Sequence, residues 1–126
     1  MKIILQSLLI IASLQLLNSC QKDSMPSNIF IGTWVSIDNV DTLFFINDKI
    51  FTKPGYDKVM HYFNYSYGID SITIQYKAPN KILVVPSTHS YSLDSSVLSI
   101  NFSNGCYGFS SKKETFIKNK AKSASR

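Results

Sequence analysis

From Thr33 onward, apolar and polar residues alternate over short runs, and most of the apolar positions are β-branched or aromatic. A period of two places successive side chains on opposite faces of a strand, and no stretch repeats with the 3.6-residue period of a helix. The pattern predicts ten short strands in an antiparallel meander, at residues 33–37, 42–46, 50–52, 61–67, 71–76, 82–85, 90–93, 97–102, 106–109 and 115–118.

Turn-forming residues separate these apolar runs. Asn47-Asp48 and Asn104-Gly105 are two-residue hairpin signals, and a proline at position 79 initiates a turn over residues 78–81. Asp94-Ser95-Ser96 is a softer turn of the same kind. Short turns join strands that are adjacent in space, so we expect the strands to pair in sequence order.

Two segments of the chain resemble each other. Residues 65–74 and 91–100 share Tyr-Ser-apolar, a four-residue connection, and apolar-hydroxyl-Ile. Two similar hairpins favour a sheet built by repeating one unit, and chance similarity among β-rich segments is the alternative. A meander must protect its two edges, and closure removes them. We therefore predict an all-β, up-and-down sheet over residues 30–119, closed or nearly closed into an eight-to-ten-stranded barrel.

The first 19 residues have a different pattern. A positive residue, Lys2, precedes an apolar run that ends in small residues, as in a secretory signal peptide. Polar residues interrupt the run, which disfavours the alternative of a retained hydrophobic anchor helix.

The end of this segment, Leu17-Asn18-Ser19-Cys20, resembles a bacterial lipobox. The resemblance implies that Cys20 becomes the first mature residue and carries fatty acyl chains such as palmitate. The protein would then be an outer-membrane lipoprotein of the cell envelope, periplasmic or surface-facing, with residues 20–29 as its tether. Residues 20–23 also resemble the signals that send lipoproteins of gut-dwelling Gram-negative bacteria to the cell surface. Without acylation, a Cys20–Cys106 disulfide is the alternative.

Charge is concentrated at the C-terminus. The formal net charge is +5, but six of the 13 lysine and arginine residues fall within residues 112–126, and the body of the chain is close to neutral. A basic tail over residues 120–126 is typical of a frayed terminus, although it could also meet an anionic surface. The body lacks a basic stripe interleaved with aromatics, which disfavours nucleic-acid binding. The sequence does not identify protein partners.

Four stretches together resemble the lipocalin-like domains of small bacterial lipoproteins. They are Gly32-Thr33-Trp34, residues 43–51, residues 91–100 and residues 115–118. The resemblance implies a ligand-binding barrel in which Trp34 packs at the floor against a late basic residue, for which Lys118 or Lys120 stands in.

Aromatic residues give the candidate binding site. Alternation along residues 61–67 places four side chains on one face, and with Tyr91 they form the candidate barrel interior: His61, Phe63, Tyr65, Tyr67 and Tyr91. An aromatic interior with a few hydroxyls suits a small hydrophobic or amphipathic ligand. A barrel this narrow can also be filled by its own side chains, which is the more common arrangement. The alternatives are therefore a ligand-binding module and a structural or interaction lipoprotein with a filled barrel; a secreted inhibitor has weaker support.

Catalytic and metal chemistry are not indicated. His61 and His89 are the only histidines, and neither has a carboxylate or cysteine at metal-ligand spacing. Serine, histidine and aspartate can be combined in several ways, and no nucleophile elbow is present. We predict a protein without catalytic residues, metal or cofactor.

Overall fold

The computed structural model describes residues 29–120, and these form eight antiparallel strands with no helix. The predicted signal peptide, lipobox cysteine and most of the tether lie outside the described residues, as do the last six residues of the basic tail. The strands are β1 (Gly32–Ser36), β2 (Thr42–Phe45), β3 (Ile50–Pro54), β4 (Met60–Tyr67), β5 (Ser71–Tyr76), β6 (Ser87–Asp94), β7 (Val97–Asn101) and β8 (Lys113–Asn119). The predicted all-β meander is confirmed.

The sheet closes on itself. Each strand pairs with the next in sequence, and β8 returns to pair with β1, placing Trp34 opposite Lys118 and Ser36 opposite Phe116. The two similar segments form the β4–β5 and β6–β7 hairpins. Because every strand has two neighbours, the barrel exposes no sheet edge.

Aromatic side chains fill the middle of the barrel. Phe51, Phe63 and Phe116 are among the largest fully buried side chains there. The rings of Phe51 and Phe63 are stacked with their centroids 4.8 Å apart. Rings packed this closely leave little empty space between them. Room for a small molecule therefore has to be sought toward the barrel ends.

One end of the barrel is plugged by the segment that leads into β1. Phe30 is fully buried, and its ring packs on Tyr67 with 4.8 Å between centroids and on Tyr91 with 5.3 Å. The indole Nε1–H of Trp34 donates a 2.7 Å hydrogen bond to the carbonyl oxygen of Phe30. We call this the closed end; the short connections β2–β3, β4–β5 and β6–β7 also lie here.

The opposite end, which we call the mouth, carries the longer connections. They join β1 to β2, β3 to β4, β5 to β6 and β7 to β8. The β7–β8 loop folds back over the barrel, and its Phe109 stacks on Phe102 with ring centroids 4.3 Å apart. Backbone φ values of +90° at Gly105 and +82° at Gly108 turn the loop, a conformation that favours glycine.

Two predicted strands are absent from the structure. Residues 106–109 lie within the β7–β8 loop, because the two left-handed glycines turn the chain out of an extended path. Asn104-Gly105 is thus part of a longer loop and not a hairpin turn. In residues 82–85, Leu83 makes a single bridge to Lys77. Pro79 and Pro86, which flank this stretch, lack the N–H needed to extend a ladder.

Candidate functional site

A cleft of about 310 Å³ opens at the mouth between the β3–β4 connection and the β7–β8 loop. We call it the aromatic cleft, since Phe63 and Tyr107 supply its apolar walls. Its full lining is Lys53, Gly55, Tyr56, Asp57, His61, Phe63, Tyr107 and Gly108. The end of β3 and the start of β4 thus face the β7–β8 loop across the cleft.

The β3–β4 connection is shaped around the imidazole of His61. A side chain at Gly55 would collide with the imidazole Nε2, so only glycine leaves room for His61 in this position. The backbone N–H of Gly55 donates to the carbonyl of Val59 at 2.8 Å, and the Val59 N–H donates to Oδ1 of Asp57 at 3.0 Å. These bonds fix one wall of the aromatic cleft.

His61 and two tyrosines form a hydrogen-bonded and stacked group beside the cleft. Nδ1 of His61 lies 2.8 Å from the hydroxyl of Tyr76, and the Tyr76 ring stacks on Tyr107 with centroids 4.3 Å apart. Desolvation, followed by the neighbouring Tyr107 and Asp57, raises the pKa of Tyr76. Its hydroxyl therefore stays protonated at neutral pH and can orient the imidazole.

A second cleft of about 350 Å³ adjoins the first, and we call it the charged cleft. It shares Lys53, Tyr56 and Gly108 with the aromatic cleft, so the two meet along these residues. The remaining lining is Asp38, Val40, Asp41, Phe109, Ser110, Lys112 and Glu114.

Lys53 is a buried cation between the two clefts. Its Nζ lies 2.8 Å from Oδ1 of Asp41 and 5.3 Å from the ring centroid of Phe109. A lysine this buried needs a partner charge, and Asp41 supplies it. The ion pair joins β3 to the β1–β2 connection across the mouth.

Glu114, near the start of β8, is the other buried ionisable side chain here, with 7% of its surface exposed. Desolvation, the adjacent negative charge of Asp41 and a hydrogen bond between the two carboxyl groups raise the pKa of Glu114 to about 7, and Lys112 opposes the shift. The carboxyl group is thus about half protonated at neutral pH, and the charge of the cleft depends on pH.

The five predicted interior residues divide between the two barrel ends. His61 and Phe63 line the aromatic cleft. Tyr65, Tyr67 and Tyr91 instead surround Phe30 at the closed end, with ring centroids within 6 Å of its ring. The Tyr65 hydroxyl donates to the carbonyl of Asn47, and the Tyr91 hydroxyl donates to that of Gly68, both at 2.6 Å. The structure does not bring the five together around one space.

Trp34 and Lys118 lie against each other at the closed end. Nζ of Lys118 is 5.4 Å from the centroid of the Trp34 ring, a cation–π geometry. The indole is fully buried, and Lys118 is half-buried. Their contact joins the first and last strands.

The second histidine belongs to a buried polar network. His89 is 2% exposed; Nε2 lies 2.7 Å from Oγ of Ser87, and Nδ1 lies 2.7 Å from Oδ1 of Asn104. Both ring nitrogens are therefore satisfied, and the network ties β6 to the β7–β8 loop.

Desolvation raises the pKa of the nearby half-buried Cys106 thiol, which keeps it protonated and weakly nucleophilic.

Sequence reasoning missed most of the mouth residues, although two carried a signal. Lys53 follows Phe51 by two positions, and Glu114 precedes Phe116 by two, so alternation places both charges on the inner face of the barrel. A charge in an inward register marks a paired or functional group. Gly55, Asp41 and Tyr107 gave no such signal, because their roles depend on which loops meet.

Comparisons with known protein families, with curated proteins and with solved structures find no match. The class of protein is therefore defined by the fold, a closed eight-stranded antiparallel barrel with clefts at one end. Within residues 29–120, no group of three or more histidine, cysteine and acidic side chains could hold a metal ion. No helix in that range is long and apolar enough to cross a membrane.

Proposed function

We propose that the chain is a lipocalin-like lipoprotein, anchored to the outer membrane through Cys20, that binds a small amphipathic molecule at the barrel mouth without converting it chemically. The observation that carries the binding proposal is the aromatic cleft. The anchor rests on the lipobox resemblance of residues 17–20.

The dimensions and lining of the aromatic cleft support a small-molecule ligand. Its volume of about 310 Å³ matches the lower end of the range for such sites, about 300–1,000 Å³. Tyr107 offers apolar contact with the buried Phe63 behind it, and His61 and Asp57 offer polar contact at the rim. Because aromatic side chains fill the middle of the barrel, the ligand sits at the mouth and not in a deep interior pocket.

Two tyrosines provide a matched test of binding. Tyr107 is 57% exposed and lines the cleft, whereas Tyr62 is 51% exposed on the outer face of β4. With the full chain in lipid nanodiscs and N-phenylnaphthylamine as the fluorescent probe, Tyr107→Ala is expected to weaken binding about tenfold, and Tyr62→Ala to leave it unchanged. Equal effects of the two substitutions, or no binding by the parent protein, would contradict the proposal.

Native mass spectrometry of protein from its own host provides the direct test for a resident ligand. A discrete mass lost on denaturation is expected. A native mass equal to the denatured mass would count against a tightly held ligand.

The anchor has its own test. Cys20→Ala is expected to abolish labelling by a fatty-acid analogue, and Cys106→Ala should leave the labelling intact. Labelling that survives Cys20→Ala would exclude acylation at this residue.

A second candidate function is a structural or interaction lipoprotein of the cell envelope. Ile82, Leu83 and Val85 are 64–84% exposed side by side in the β5–β6 connection. Contiguous exposed apolar residues mark interaction surfaces. A photo-crosslinker at Leu83 would capture a discrete envelope protein under this function, while one at the equally exposed Ile69 of the closed end would not. Absence of a crosslink at Leu83 would count against it.

A further inference from the structure

One buried polar atom at the mouth has no hydrogen-bond partner. Among residues 29–120, Oε2 of Glu114 is buried and has no hydrogen-bond partner when the carboxyl group is ionised; the protonated group can share its proton with the carboxylate of Asp41. Buried side-chain oxygens in folded proteins are almost always paired, so an orphaned one marks the position of a water, an ion or a ligand group. Glu114 itself is more than nine-tenths buried and lines the charged cleft.

Among residues 29–120, no cation lies within ion-pair distance of Glu114, although Lys112 acts on it at longer range. The β1–β2 connection contributes Asp38 and Asp41, β3 contributes Lys53, and the β7–β8 loop contributes Lys112. Nζ of Lys53 lies 2.8 Å from Asp41, and Nζ of Lys112 lies 3.9 Å from Asp38. Each lysine is thus paired with an aspartate. When Glu114 ionises, its negative charge is the one left uncompensated.

The position of Glu114 relates it to the proposed ligand site. The charged cleft and the aromatic cleft join along Lys53, Tyr56 and Gly108. An elongated molecule lying in both would place an apolar body against Tyr107 and a polar end near Glu114. This arrangement rests on the proposed ligand-binding function.

We propose that the molecule bound at the mouth is an amphipathic amine, whose protonated nitrogen donates a hydrogen bond to the Glu114 carboxylate while its apolar part lies in the aromatic cleft. For the ionised carboxylate of Glu114, an ammonium group supplies both a hydrogen-bond donor and a positive charge at contact distance. A carboxylate or phosphate group would instead add a negative charge beside three carboxyl groups. A neutral alcohol would supply the donor but leave the charge uncompensated.

The proposed binding also makes the affinity for the amine depend on pH. The amine binds as the cation and Glu114 as the carboxylate, so a complex formed below neutral pH releases the carboxyl proton to solvent. Affinity for the amine therefore rises with pH, by up to about tenfold per unit, until Glu114 is ionised in the free protein. Affinity for an uncharged analogue does not follow this course.

The test uses three probes that share one apolar body: phenylbutylamine, phenylbutanol and phenylbutanoate. Calorimetry is performed with the full chain in lipid nanodiscs, with empty nanodiscs as the blank. The amine is expected to bind about tenfold to a hundredfold more tightly than the alcohol, with the carboxylate weakest. Glu114→Gln should reduce amine affinity to that of the alcohol. Asp94→Asn, which removes an exposed acid at the closed end, should change neither.

Loss of the amine preference and loss of all probe binding have different meanings. If the alcohol or carboxylate matches the amine, or if Glu114→Gln preserves the amine preference, the inference is wrong while the cleft remains a binding site. If none of the probes binds, the proposed function and the inference both fail. The pH course of amine affinity in the unaltered protein provides an independent check that does not depend on a variant: a flat course between pH 5 and about 7 would overturn the inference.

Discussion

The buried charges of the mouth show how single residues determine the chemistry of this barrel. Lys53 and Asp41 neutralise each other in a 2.8 Å ion pair, whereas Glu114 is held next to Asp41 with no cation in ion-pair contact. A buried pair that loses one member is destabilised because the other charge stays buried and unpaired. Glu114 avoids this cost below neutral pH by keeping its proton.

Glu114 is predicted to make the free energy of unfolding depend on pH. Its pKa is raised from the ordinary value of 4.5 to about 7, so the folded state holds a proton that the unfolded chain releases. The stability contributed by the protonated group is fully present below pH 4.5 and is lost as pH rises toward 7. Glu114→Gln removes this dependence. Relative to the parent, the variant should gain on the order of 1–3 kcal/mol of unfolding free energy between these two pH values.

Urea unfolding at both pH values, followed by Trp34 fluorescence, measures this change. Asp94→Asn is the control, because the exposed aspartate is remote from the mouth and its effect should stay within about 0.5 kcal/mol. A Glu114→Gln difference that is constant with pH would contradict the prediction.

At the scale of the elements, the entry into β1 depends on a glycine. Gly32 has a φ of +130°, and a Cβ at this position would lie 2.9 Å from Cε of Lys118 on the paired strand. The backbone conformation therefore disfavours any side chain here, whereas the flexible end of Lys118 could shift to make room for a Cβ. The same segment carries Phe30 into the closed end.

Gly32→Ala is accordingly predicted to lower the free energy of unfolding by about 1–3 kcal/mol. Gly68→Ala provides a matched control, because Gly68 lies outside the left-handed region and an added Cβ would meet only Oγ of Ser71, at 3.8 Å. That control should be neutral or stabilising by up to about 1 kcal/mol. Urea unfolding monitored by circular dichroism compares the two, and equal effects would show that the conformation of Gly32 is not limiting.

The elements also show what could be predicted from the sequence. Strand positions follow from local alternation, and the β4–β5 and β6–β7 hairpins were predictable for that reason. The local pattern also predicts strands at residues 82–85 and 106–109. It could not show that these segments lie outside the sheet, because that follows from the closure of the other eight strands. The inner face of β4 was predictable from alternation. Strand geometry also separates His61 from Tyr67 by about 20 Å along β4. The sequence did not show that Phe30 and Phe109 plug the barrel, so the division of its interior between two ends was not predicted.

At the scale of the whole molecule, closure couples all eight strands. Phe116 on β8 is fully buried, and its strand pairs with both β1 and β7. Loss of β8 packing would therefore weaken the seam between the first and last strands and, through it, the whole barrel. A small closed barrel of this kind is expected to unfold in a single transition.

Phe116→Ala is predicted to cost about 3–5 kcal/mol through the cavity it leaves. Amide hydrogen exchange measures how far the effect spreads. Protection in β4, which does not pair with β8, should fall by the same factor as protection in β1, which does. A much smaller loss in β4 would show that the barrel opens locally at the seam and does not unfold as one unit.

The direction in which the chain enters and leaves the barrel gives the molecule a polarity. Ile29 and Phe30 enter at the closed end, and Asn119, paired with Thr33, leaves there too. With Cys20 held in a bilayer, the closed end would lie on the membrane side, where the exposed Lys120 favours anionic headgroups. The mouth would then face away from the membrane. Its ligand would be exchanged with the aqueous phase and not with the lipid below.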